Sequence, residues 1–197
     1  MSAEQNIKAK ALKCIDEVYP SADTLNDTYF PVDAFLDEAV RWVIDIVPAR
    51  ILTIRKDITP NGGTVKDGVV TWVDSAIGNA RIVYLKMDDW ARPADIIYED
   101  SLIYRQQKNR VLRGTPSRPI VVRMMDGETI EAYTSNSDTP QGSTMYIVPY
   151  DAAYIPDRAI DLCAWKLAEV VLLSMSDMQN ASACTARVTE LLQQLSL

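Results

Sequence analysis

The chain has 197 residues, 48% hydrophobic and 24% charged, with 20 basic and 27 acidic side chains, no histidine and a net charge of −7. Such a balance describes a globular chain, and the length sets an expectation of one domain burying roughly 70% of its unfolded surface without disulfides or metal. Lacking histidine, it excludes Ser-His-Asp and Cys-His nucleophile pairs, HExxH zinc sites and a histidine pH switch, while the acidic balance argues against whole-surface nucleic-acid binding.

In chain order, Ser2 followed by Gln5 makes a capping-box pattern. Ile7, Ala11, Ile15 and Val18 then recur at helical spacing until Pro20. Residues 21–29 read as a polar, acidic loop. Pro31 is placed to open a second helix, in which Leu36, Ala39, Val40, Val43, Ile44 and Val47 form one apolar stripe. Pro48 predicts a break, with residues 48–52 as the start of another short helix.

Past Pro60-Asn61-Gly62-Gly63, a turn signal, the period shortens. Residues 69–73 and 80–85 are rich in β-branched and aromatic side chains and predict a hairpin around Gly78-Asn79. Residues 120–124 and 129–133 flank Asp126-Gly127 and predict a second hairpin. Residues 145–148 predict a fifth strand. After Pro156-Asp157 the helical period returns. Residues 158–175 are apolar on nearly every face, as a central buried helix would be. A last amphipathic helix carries Ala181, Cys184, Val188, Leu191, Leu192 and Leu195.

The order α, β, α requires helices from both ends to meet. The expectation is an α+β fold: a helical bundle from the N- and C-terminal helices with an inserted antiparallel β-rich region. It is read as a single domain over 1–197, comprising N-terminal helices (1–59), the β-rich insertion (60–149) and C-terminal helices (150–197).

No signature of catalysis stands out. Gly62-Gly63 lacks the Lys-Ser/Thr of a phosphate loop, and no GxGxxG follows a strand. Asp88-Asp89 reads as a turn or cap before Trp90, because neighbours on an extended chain point apart. Ser135-Asn136-Ser137-Asp138 lacks the glycine and distant glutamate of a calcium loop and reads as a loop tip. Cys14, Cys163 and Cys184 are odd in number and widely spaced, so a reducing interior is expected, with Cys163 and Cys184 as small hydrophobes. Trp42, Trp72 and Trp165 read as core. The N-terminus carries no apolar run that would read as a secretory signal. No cofactor, metal or catalytic residue is expected.

One segment departs from this background. Residues 104–118, YRQQKNRVLRGTPSR, hold Arg105, Lys108, Arg110, Arg113 and Arg118 and no acid, a local charge of +5 that leaves −12 on the remainder. The segment reads as a flexible basic loop, either a solvated surface or a docking surface for an acidic partner or for DNA phosphate.

This segment, with the alternating strand after it, Tyr146-Ile147-Val148-Pro149-Tyr150 and Tyr154-Ile155-Pro156 before the apolar helix, resembles the head–tail connector proteins of tailed phages. These are the head-completion or ring adaptor proteins of short-tailed and crAss-like phages. The resemblance runs from about Phe30 to the C-terminus. It implies a non-enzymatic virion protein, assembled in the bacterial cytoplasm as a ring of about twelve copies beneath the capsid portal. It also implies partners: further copies, the portal, neighbouring tail or neck rings, and DNA passing through the lumen without sequence-specific contact, with no membrane. Arg105, Lys108, Arg110, Arg113 and Arg118 would then meet a partner. Val188, Leu191, Leu192 and Leu195 would pack in the bundle or against the portal. Such a ring would carry on the order of −80 formal charges, favourable to sliding DNA. The alternative is a non-enzymatic soluble binding or scaffold module whose basic loop holds an acidic protein.

Overall fold

A computed structural model describes residues 2–18, 30–52, 54–58, 63–133 and 142–196. The expected loop at 21–29, the turn at Pro60-Asn61-Gly62 and the Ser135–Asp138 tip lie outside the described residues. The fold is α+β, with helices contributed by both ends of the chain. It divides into two compact units: Met1–Ile54 with Tyr150–Leu197, and Arg55–Pro149.

The first unit is helical. Helix α1 (Ala3–Val18) opens on the expected capping box: Gln5 N–H donates to Ser2 Oγ (3.2 Å) and Ser2 N–H to Gln5 Oε1 (3.0 Å). It buries Ile7, Ala11, Cys14 and Ile15. Helix α2 (Val32–Ile46) starts one residue later than expected, with Pro31 as its cap rather than its first residue. Its apolar stripe is buried, and it stops at Ile46 because Val47, ahead of Pro48, is extended. Residues 48–52 form a turn closed by Ile51 N–H donating to Pro48 O (2.8 Å), not the helix the sequence suggested.

In this same unit, helix α5 (Ile160–Ser174) is buried on nearly every face and packs against α1, α2 and helix α6 (Met178–Ser196). Burial of an all-round apolar helix by three neighbours is the arrangement its composition demands. A polar cluster ties it down: Lys166 Nζ lies 2.9 Å from Glu169 Oε2 and 4.6 Å from the Trp42 ring centroid, and Thr185 Oγ1 donates to Glu169 Oε1 (2.9 Å). Both charges are nearly buried, so each needs the other.

Among the described residues, the second unit has eight strands and two short helices. They run β1 (Lys56–Ile58), β2 (Thr64–Lys66), β3 (Val69–Val73), α3 (Ser75–Gly78), β4 (Ala80–Met87), β5 (Asp95–Tyr98), α4 (Leu102–Gln107), β6 (Ile120–Arg123), β7 (Thr129–Ala132) and β8 (Ser143–Pro149). One sheet has the order β1-β8-β4 and the other β2-β3-β7-β6-β5. Trp72, Val121 and Ile130 of the larger sheet share one buried cluster with Leu85, Met145 and Ile147 of the smaller.

The β6–β7 hairpin and β8 fall where the sequence put them. The hairpin expected between 69–73 and 80–85 does not form. Asp74 Oδ1 accepts from Ala76 N–H (2.8 Å), starting the single turn α3, and buried Ile77 plugs the core. The chain thereby crosses from one sheet to the other, and β4 pairs with β8 while β3 pairs with β2 and β7.

Candidate interaction surface

The basic segment belongs to a crossover. Strand β5 runs parallel to β6, and parallel neighbours cannot be joined by a tight turn. Residues 99–119 make the connection, with α4 packed on the outer face of the larger sheet through Tyr104, Val122 and Tyr133. Ser101 starts α4, its Oγ accepting from Ile103 N–H (3.2 Å).

Where the sequence suggested a loop, the segment begins in helix α4 and continues as a hydrogen-bonded turn. Gln107 is fully buried: its Nε2 donates to Ile103 O (3.1 Å) and its Oε1 accepts from Gly114 N–H (2.8 Å). Arg113 folds back over the turn, donating through Nε to Gln107 O (3.1 Å) and through Nη1 to Asp67 O (2.7 Å), with its guanidinium 5.5 Å from the Tyr133 ring centroid. Beyond it, Ala91 N–H donates to Pro116 O and Asp95 N–H to Pro119 O. The result is a hook held by internal hydrogen bonds.

The five basic residues therefore divide. Arg113 is half-buried and committed to internal acceptors. Arg105, Lys108, Arg110 and Arg118 are exposed. Lys108 lies over the Tyr104 ring at 4.7 Å, and Arg110 makes a long, exposed pair with Asp67 (3.4 Å). Apolar side chains are interleaved with them: Leu102 is 76% exposed, Val111 89% and Leu112 58%. Uncovered apolar groups interleaved with basic ones make this connection a candidate contact surface.

On α6, Val188 is buried, whereas Leu191, Leu192 and Leu195 are half-buried. Only the first half of the expected stripe is fully inside.

Two site features escaped the sequence reading. The hook's anchor, Asp67, sits at φ 53° ahead of Gly68 at φ 74°, the two-residue turn joining β2 to β3. An Asp-Gly pair between β-branched runs was the available signal. Arg123 is buried, donating to the carbonyls of Ala80 (2.7 Å), Ile77 (2.9 Å), Gly78 (3.0 Å) and Gly127 (3.4 Å). It is a cross-link rather than a contact residue.

The chemistry available elsewhere is sparse. Burial pushes the thiols of Cys14, Cys163 and Cys184 up to about 12, so at neutral pH they are protonated and shielded. Asp88-Asp89 forms the expected turn, with Asp88 N–H donating to Gly142 O (2.9 Å). Among the described residues no group of three or more His, Cys, Asp or Glu side chains could hold a metal, and no helix is long and apolar enough to cross a membrane.

The two units differ in charge. The helical unit carries eight basic and fifteen acidic residues, and hence the whole net charge of −7, while the β unit carries twelve of each. No protein-family model matches the sequence, and no curated protein matches it significantly.

Proposed function

We propose that the chain is a structural virion protein that forms a ring in the neck of a tailed phage, joining the capsid portal to the tail around the DNA channel. The observation that carries this reading is the ordered hook of residues 99–119, which holds apolar and basic side chains in solvent on a chain with an acidic helical unit. A part that must grip protein neighbours while DNA slides past benefits from that separation of charge. The resemblance of residues 104–118 and 146–156 to phage connector proteins supplies the identity of the neighbours: further copies, the portal and the adjoining tail ring. Assembly belongs in the host cytoplasm and the finished protein in the virion, with no catalytic step.

The experiment is imaging of phage particles carrying an epitope on this protein. Label at the portal vertex supports the reading; label elsewhere, or particles without the protein, overturns it. The same hook would serve a soluble scaffold module that holds an acidic protein, a reading favoured if the protein is absent from particles.

A further inference from the structure

The exposed apolar groups of the helical unit are unevenly spread. Leu173, Met175 and Met178 cluster at the turn between α5 and α6, where Ser176 takes φ 63° and Asp177 caps α6 by accepting from Asn180 N–H (3.1 Å). From this turn a groove of about 410 Å3 runs along α6, lined by Leu173, Met178, Ala181, Ser182, Thr185 and Ala186. The spacing from Met178 through Ser182 to Thr185 and Ala186 is a second helical stripe, beside the buried one of Ala181, Cys184 and Val188. Its floor is small side chains and its rim is leucine and methionine, a shape suited to short aliphatic knobs.

The β unit carries such a knob. Val111 and Leu112 stand at the hook's tip, between Arg110 and Arg113. Because Gln107 and Arg113 brace the turn from behind, little conformational freedom remains to be lost on docking. We propose that the Val111-Leu112 tip of one copy seats in the α5–α6 groove of a second copy. This contact rests on the ring reading above and supplies the joint between its subunits. Charge selects a second copy as the occupant: the tip lies in a +5 segment, and the groove belongs to the unit that holds all of the −7, with Asp177 beside Met178. Two different surfaces of one chain that meet in different copies make a head-to-tail contact, which closes into rings when the rotation permits.

The test is cross-linking of the full chain with Leu112→Cys and Ser182→Cys introduced together, oxidised mildly and run on a non-reducing gel. The native thiols are buried, so the introduced pair alone is read. A ladder of dimers and higher species is expected. Leu112→Asp in the otherwise native chain is expected to weaken self-association at least about tenfold, with the melting temperature unchanged because the residue lies in solvent. Oligomers that resist Leu112→Asp and give no ladder overturn this contact while leaving the ring reading intact. A monomer-sized internal disulfide, or a chain that stays monomeric at high concentration and low salt, overturns it as well. The ring reading itself is decided by the particle images.

Discussion

Gln107 Oε1 accepts the backbone N–H of Gly114 at 2.8 Å, and that bond turns a run of basic residues into a defined surface. The side chain is fully buried and reaches Ile103 O with its other end. Gln107→Ala removes both bonds and strands the Gly114 donor, at an expected cost of about 2 kcal/mol. Urea denaturation measures it. A loss under about 0.5 kcal/mol would mean that the hook is held by other contacts.

Arg110 and Arg113 are three positions apart and have opposite roles. Arg113 donates to two backbone carbonyls, so Arg113→Ala is expected to destabilise the fold by about 1–3 kcal/mol. Arg110 pairs with an exposed carboxylate at 3.4 Å, so Arg110→Ala should change stability by less than about 0.5 kcal/mol. Parallel denaturant melts compare the two. Equal effects would contradict this division.

Arg123 holds four carbonyls from inside the β unit. Arg123→Ala opens a cavity and removes four hydrogen bonds to backbone carbonyls, although Ile77 O keeps the Asn79 N–H, an expected loss of about 3 kcal/mol. Arg123→Lys should recover only part, since an ammonium group lacks the planar fork. Full recovery by lysine would show that charge, not geometry, is what matters there. Thermal unfolding of the two variants decides.

Alkali should destabilise the protein. A thiol raised from 9.0 to about 12 stays protonated in the folded chain while the unfolded chain releases its proton, so the folded state loses ground as pH climbs from about 9 toward 12. Burial raises the Tyr133 phenol too, which extends the effect above its ordinary value of 10.0. Melting temperatures measured in reductant from about pH 8 to 10.5 should fall continuously, and Cys163→Ala should flatten the slope. A level profile would contradict the burial of these groups.

Local patterns were legible in the sequence. The Ser2–Gln5 box, the α2 stripe, the β6–β7 turn at Asp126-Gly127 and the buried helix α5 each depend on residues within a few positions of one another. What escaped depends on distant partners. Gly78-Asn79 looked like a hairpin turn, but Asp74 capped a helical turn first and sent β4 to pair with β8. The partners of Arg123 lie up to 46 residues away, and those of Arg113 include Asp67, also 46 away. Strand β5 is too short to announce itself, so the basic run looked like a loop rather than a crossover braced on a sheet.

The mass of the assembly tests the central claim most directly. Native mass measurement of the 197-residue chain, alone and mixed with the phage portal, is expected to give one closed species of about twelve 22.0 kDa subunits, free or seated on the portal. A chain that stays a monomer or dimer in both mixtures would contradict a ring adaptor.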